Sequence, residues 1–495
     1  LEKREYKKVL LIGWDAADWK FINPLMDAGR MPNLSRLVDD GVIGNLASLK
    51  PCLSPILWTS IATGKSADKH GILGFVEPDP KGGVRLSTST SRQSKAVWNI
   101  LSQSGYRSTV VNWYASHPAE PIEGCVISNR FFEGLPDDPS KTWQVIPDSI
   151  HPSDLAEVVS GFRMHPAELA PADLARFIPD IASIDFRTDP RPALLAKDLA
   201  KTVSIHSVAT GAIQAEPWDF MAIYYDGLDT IGHRFMPYHP PRMDHVSEKD
   251  FSLYQHVMRE TYLFHDEMLG RLLELVGEDT TVMLLSDHGF HSDHLRPAQF
   301  MDDLPEEVLA AAWHRHYGVL ALRGPGLLKD DRIYGATLLD IAPTILTLFE
   351  LPVGQAMDGK PLVQAFEPPG PPLESIESWE TVPGNAGLHP PDALQVMSES
   401  SEAIAQLVAL GYLSEATLDP DKSVEIVVAE SNFNLANVHS SHGRHKKALE
   451  ILHQLCQQYP NNCRYTLALA KTYANLQQHD QCLAEVAKID SAGQG

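Results

Sequence analysis

One stretch constrains the fold of this chain more than any other: Thr281-Val282-Met283-Leu284-Leu285-Ser286-Asp287-His288-Gly289-Phe290. A continuous apolar run bounded by turn signals reads as a parallel strand buried on both faces. This one stops at adjacent residues that can both bind a metal. Strands of this kind belong to open sheets covered by helices, where ligands gather beyond the carboxyl ends. Other strands should therefore deliver partners to the same place. Val9-Leu10-Leu11-Ile12 runs into Gly13-Trp14-Asp15, Phe220-Met221-Ala222-Ile223-Tyr224 runs into the stretch from Asp226 to His233, and His314 lies just before Val319-Leu320-Ala321-Leu322.

The chain has 495 residues, room for one large α/β domain and a smaller unit. A formal net charge of -23 argues against nucleic acid or an anionic membrane surface as the main partner. No apolar run is long enough to form a transmembrane segment. The first strand begins close to the amino terminus and leaves no room for a secretory signal. Leu1-Glu2-Lys3-Arg4 looks like the processing end of a fungal secretion leader, so residues 1–5 are set aside as a processing scar. The cysteines, Cys52, Cys125, Cys456, Cys463 and Cys482, are odd in number and scattered. They point to a reducing, cytoplasmic setting rather than a disulfide framework.

In chain order, Pro24 to Val38 carries apolar residues at helical spacing, with a restart at Met31-Pro32. Ser54-Pro55 before an apolar run reads as a helix start, with Ser54 as the cap and Pro55 in the first turn. Trp98 to Gly105 is expected as a helix, Ser108 to Asn112 as a strand, and Phe251 to Val276 as one long amphipathic helix. Residues 131–199 are rich in proline and acidic groups and read as a cap or insertion. Residues 6–366 should form the α/β domain, residues 367–400 a linker rich in Pro, Gly, Ser and Glu, and residues 401–495 a helical region. Leu435, Ala436, Ala448 and Leu449 recur thirty-four positions later as Leu469, Ala470, Cys482 and Leu483, a period that matches tetratricopeptide helix pairs. The fold class expected is α/β: a doubly wound, mostly parallel sheet with helices on both faces, a cap insertion and a small all-α repeat region.

Asp15, Asp229, His233, Asp287, His288 and His314 are oxygen and nitrogen ligands that suit Zn²⁺ or Mn²⁺. Their number and charge suggest two divalent ions, which together can hold the attacking and leaving oxygens of an in-line displacement. Ser54 is the candidate nucleophile, since a serine hydroxyl needs activation and no Gly-x-Ser-x-Gly elbow is present.

These ordered motifs resemble the alkaline phosphatase superfamily, and within it the type I phosphodiesterase/nucleotide pyrophosphatase branch, over roughly residues 6 to 365. The resemblance implies that Asp15, the nucleophile Ser54, Asp287 and His288 bind one metal. It implies that the Asp-x-x-Gly-His motif from Asp229 to His233 binds the other with His314. It also implies a covalent phosphoserine intermediate hydrolysed by water. Ser54 is selected by its spacing to Thr63-Gly64. The family's asparagine three residues after the nucleophile is Leu57 here, so Asn112 is offered as the phosphoryl-binding donor. The sulfatase signature is absent. Asp226 competes with Asp229, and His316, His291 and His294 compete with His314, while His70 reads as structural. The expected substrate is a small-molecule, lipid- or nucleotide-type phosphodiester, with a protein partner possible at the repeats. Monoester hydrolysis is the alternative and needs a cation, for which Arg130 and Arg234 are the candidates. A phosphomutase and a partner-binding scaffold with a degenerate hydrolase domain are the other readings.

Overall fold

A computed structural model describes residues 7–215, 217–297, 310–390, 404–405, 407–408, 412–413, 417, 419 and 422–492. The processing scar expected at 1–5 lies outside these residues, as do the end of the expected linker and the start of the expected helical region, 391–403.

The strands, in chain order, are β1 (Lys8–Trp14), β2 (Val42–Ala47), β3 (Val76–Pro78), β4 (Val84–Leu86), β5 (Ser108–Val111), β6 (Gly124–Ile127), β7 (Ile150–His151), β8 (Phe220–Tyr225), β9 (Thr280–Leu285), β10 (Gly289–Phe290), β11 (His314–Arg315), β12 (Tyr317–Arg323) and β13 (Asp331–Ile333). The large sheet has the order β13-β2-β12-β9-β1-β8-β5-β6-β7. β1 sits between β8 and β9, parallel to both, and β5 and β6 continue the parallel run. β12 is antiparallel to β2 and β9, and β7 is antiparallel to β6.

The helices are α1 (Trp19–Asp27), α2 (Pro32–Asp39), α3 (Ser54–Thr63), α4 (Ala67–His70), α5 (Val97–Gln103), the short α6 (Ala156–Ser160) and α7 (Pro171–Leu174), α8 (Arg191–Ala215), α9 (Gly227–Phe235), α10 (Glu248–Tyr254), α11 (Val257–Val276), α12 (Ile341–Leu348), α13 (Ser423–Ser441), α14 (His445–Gln458), α15 (Cys463–Asn475) and α16 (His479–Ala492). Alternation along β1 sends Leu10 and Ile12 into one core with residues of α2, α8, α9 and α11. Val9 and Leu11 point into a second core with α3, α5 and α12. The sheet is thus doubly wound and mostly parallel, as its continuous apolar runs require.

Several details depart from the sequence reading. Pro24 lies inside α1, which begins at Trp19. The segment Phe251 to Val276 breaks between α10 and α11. Ser54 is the first helical residue of α3 rather than its cap; Leu53 holds the cap position and no side-chain cap bond forms. Within 131–199, short helical turns are joined by β7, which extends the main sheet, and by the start of α8. Residues 375–376 pair in parallel with 353–354. Trp379 is buried, and Glu380 accepts from Lys65 at 2.8 Å. Here, a composition poor in long elements does not mean chain free of packing. The C-terminal helices form two consecutive pairs, and α13 packs on β3, β4 and α4. Among the described residues no helix is long and apolar enough to cross a membrane.

Candidate active site

Each candidate side chain is placed by the end of a strand or the start of a helix. β1 delivers Asp15 one residue past its last position. β8 leads through Asp226, the cap residue of α9, to Asp229 in the helix's first turn and His233 one turn later on the same face. β9 ends at Leu285 and leads directly into Ser286, Asp287 and His288, and the ribbon β10–β11 pairs Phe290 with His314. β12 runs against its neighbours, so residues that precede it fall at the carboxyl end of the parallel strands; this brings His314 into the crevice. Asp18 ties the ribbon down by accepting from the Phe290 amide at 3.1 Å and from the Arg315 guanidinium. Ser54 opens α3, a helix buried along its whole length and stopped by Gly64 at φ 66. The Ser54 side chain sits 4% exposed in a cleft lined also by Asp15, Asn112, Tyr224, Asp229 and Tyr412.

One atom of each buried carboxylate is held by the protein while another is left over. Asp15 Oδ2 accepts from Trp58 Nε1 at 3.1 Å and from the Tyr224 hydroxyl. Asp287 Oδ1 accepts from the amides of Ala16 and His288 at 3.4 and 3.0 Å. Asp229 Oδ2 accepts from the Tyr412 hydroxyl at 2.5 Å. His288 follows the same logic, its Nδ1 lying 3.0 Å from the Gly289 carbonyl. Asp15 Oδ1, Asp229 Oδ1, Asp287 Oδ2 and His288 Nε2 are buried with no hydrogen-bond partner among the described residues. They fall into two groups. His288 Nε2 lies 3.3 Å from Asp15 Oδ1 and 3.6 Å from Asp287 Oδ2. Asp229 Oδ1 lies 3.3 Å from His233 Nε2 and 3.5 Å from His314 Nε2, and the two imidazole nitrogens are 3.1 Å apart. Buried polar atoms are rarely left unmade, and converging acceptors of this kind fit divalent cations.

The electrostatics agree. Burial pushes the Asp15 carboxyl up to about 6, and the charge of Asp229 adds to it. Burial, then Asp15 and Asp229, drives Asp287 well above the usual carboxylate range. Burial would raise Asp229 too, but His233 and His314 overturn that and hold it well below its ordinary value. Burial lowers His314 to about 3, with His288 adding to the effect. Three carboxylates this close ionise together only beside positive charge.

The structure sorts the remaining candidates. Asp226 is engaged by Lys201 and is not part of either group. His291 sits 3.9 Å from Asp293, and buried His70 pairs with Ser60 at 3.0 Å. Among the described residues His316 and His294 join neither group. Asn112 lines the cleft at φ 57, but its Nδ2 is bonded to the Tyr224 carbonyl at 3.0 Å and the atom it leaves unpaired is Oδ1, an acceptor. That orientation does not suit the donor role expected of it. Arg130 pairs with Glu133 and Arg234 with Asp198, and neither arginine lines the cleft; Lys201 does, paired with Asp226.

Sequence reasoning missed Lys201, Tyr412 and the position of Cys52. Lys201 sits mid-helix in α8, where nothing local marks it. The Tyr412 hydroxyl also lies 2.7 Å from His233 Nε2, and its ring reaches the site from the far side of 391–403, beyond any motif spacing. The Cys52 thiol lies within 4.8 Å of the ligand atoms of His288 and His314. Burial, with Asp287 adding, pushes that thiol far up. Cys52, His288 and His314 thus form a third set of neighbouring donor atoms beside the two groups.

The type I phosphodiesterase / nucleotide pyrophosphatase family model matches residues 9–335, and the chain belongs to that family. A 2,3-bisphosphoglycerate-independent phosphoglycerate mutase of Prochlorococcus marinus (strain MIT 9303) is 27% identical over 192 residues, 37% of this chain and 31% of that protein. The match thus spans about a third of that relative's length. Among solved structures, murine ectonucleotide pyrophosphatase / phosphodiesterase 5 is similar over 73% of this chain and 100% of its own, at 12% identity and a TM-score of 0.42. Phosphonoacetate hydrolase from Sinorhizobium meliloti 1021 is similar over 62% of both chains, at 16% identity and a TM-score of 0.36.

Proposed function

We propose that the protein hydrolyses phosphodiesters through Ser54 beside two divalent cations. Asp15, Ser54, Asp287 and His288 would hold one cation; Asp229, His233 and His314 would hold the other. The observation that carries this is the set of unpaired buried acceptors Asp15 Oδ1 and Asp229 Oδ1, on residues that line a cleft with Ser54, with His288 Nε2 beside Asp15 Oδ1 and Asp287 Oδ2. The mixed oxygen and nitrogen donors favour Zn²⁺, with Mn²⁺ compatible. When bound, such ions neutralise developing negative charge and favour the ionised form of a nearby hydroxyl.

The chain's own groups do the rest. Ser54 stands in the first turn of α3, where backbone N–H groups and the helix dipole favour an anion. Its hydroxyl is not spent on a cap. Ser54 Oγ attacks phosphorus, the bond to one ester oxygen breaks, and that oxygen leaves as an alcohol after taking a proton. Water then attacks the seryl phosphodiester, releasing a phosphomonoester and restoring the Ser54 hydroxyl. Trp58, Tyr224 and Tyr412 keep Asp15 and Asp229 turned so that one oxygen of each faces the cleft.

A diester is favoured over a monoester because Lys201, the cation in the cleft, is already paired with Asp226. The mutase relative supports a second reading, transfer within a sugar phosphate, which would show no net release of alcohol to water. For the C-terminal helices, we carry the tetratricopeptide-like reading and a protein partner forward as proposals. The packing of α13 on β3 and α4 supports a first role inside the chain.

Ser54→Ala tests the mechanism. Turnover of bis(p-nitrophenyl) phosphate should fall by at least about 10³-fold while elemental analysis finds the metal content nearly unchanged. Turnover that survives in this variant would remove Ser54 from the chemistry.

A further inference from the structure

Between α13 and residues 51–53 and 73–76 lies a cavity of about 230 Å³ that the proposed mechanism does not use. Leu53, Leu73, Phe75 and Val76 wall it from one side, and Val427 and Phe433 of α13 from the other. Three of the polar side chains that line it are already engaged. Asn434 Nδ2 donates to the Leu73 carbonyl at 2.9 Å, and Glu430 holds the Arg464 guanidinium through two contacts of 3.2 Å. The chamber exceeds the ~150 Å³ apolar cavity that takes up benzene.

Its position gives it a meaning. Phe75 and Tyr412 wall both this chamber and the cleft that contains Asp15, Ser54 and Asp229. Asn129, Glu133, Lys201 and Asp226 also line that cleft. A phosphodiester has two ester arms that diverge from phosphorus, and this cleft combines charged groups with an apolar wall that it shares with the chamber.

We propose that the chamber receives an apolar arm of the substrate, so that the substrate class is a phosphodiester joining one hydrophobic and one polar alcohol. The assignment of the chamber to substrate rests on the phosphodiesterase reading of Ser54. Binding of an apolar tail there does not.

The test uses the full chain and ligands that share a head group. Octyl phosphate and methyl phosphate are compared by calorimetry, and p-nitrophenyl octyl phosphate and p-nitrophenyl methyl phosphate by turnover. Each buried methylene is worth roughly a fourfold gain in affinity, so burial of even a few carbons makes octyl phosphate at least about tenfold tighter. Ser431→Trp fills the chamber from a partly buried position on α13, and Gly74→Leu fills it from the facing wall, where an added Cβ meets nothing closer than 3.8 Å. Either variant, once shown to be folded by its thermal transition, should lose the octyl advantage and keep methyl phosphate binding. An octyl phosphate with a terminal diazirine should label residues 73–76 or 426–434, a readout that needs no variant. Equal binding of the two phosphates, or labelling confined elsewhere, overturns the chamber assignment. Octyl selectivity in binding with neither p-nitrophenyl ester turned over would keep the chamber as a binding site and overturn its assignment to substrate together with the reading of Ser54.

Discussion

Asp287 is held in place within the group it forms with Asp15 and His288, because its backbone follows β9 directly and its Oδ1 is fixed by two amides. Asp287→Asn keeps the shape but replaces the charged unpaired oxygen, so metal and activity should disappear together. Unchanged metal stoichiometry in that variant would sink the ligand assignment. His70 gives a separate, structural prediction. It is fully buried, its Nδ1 accepts from the Ile72 amide at 3.2 Å, and its other nitrogen meets Ser60 at 3.0 Å. Burial, with Arg92 nearby, lowers it to about 3. The unfolded chain takes up a proton near pH 6.5 while the folded chain does not. This contribution to stability is therefore complete above pH 6.5 and is lost as pH falls from there toward about 3. Urea melts at several pH values should show a steeper acid loss for the wild type than for His70→Gln, and parallel curves would contradict this.

At the scale of elements, the site depends on one small ribbon. Asp18 joins the cap of α1 to Phe290 of β10 and Arg315 of β11, and so carries His314 to Asp229 and His233. Arg315→Met should loosen that ribbon and weaken metal binding about 10- to 100-fold on the His314 side, while Asp15, Asp287 and His288 keep theirs. Competition with a metal-sensitive dye measures this directly, and equal loss from both groups would refute it. The same elements show what was legible in advance. The apolar runs of β1, β8 and β9 and the Asp-His and Asp-x-x-Gly-His spacings were readable because strand burial and helix periodicity are local. The antiparallel course of β12 was not, since an apolar run has no direction. Nor were Lys201 and Tyr412, whose contacts are made by tertiary packing. The Asn112 side chain was read as a donor because a sequence names an amide without showing which end is engaged.

For the whole molecule, the C-terminal helices pack on the α/β domain, and Tyr412, which precedes them, lines the cleft. α13 lies on β3, β4 and α4, Tyr412 reaches Asp229, and Arg444 makes two contacts of 2.8 Å with Asp68. That partly buried, two-pronged pair should show a coupling of about 1 kcal/mol in a double-mutant cycle of Arg444→Ala and Asp68→Ala, read from urea unfolding. Strict additivity would mean that the pair does not hold the two regions together. The central claim, a two-cation phosphodiesterase, is tested most directly by stripping the protein with chelator and refilling it with Zn²⁺ or Mn²⁺. The rates are then measured on matched aryl phosphate diester and monoester, alongside metal content. The account predicts loss of turnover on stripping, recovery near two metal ions per chain, and preference for the diester; turnover that persists in metal-free protein would contradict it.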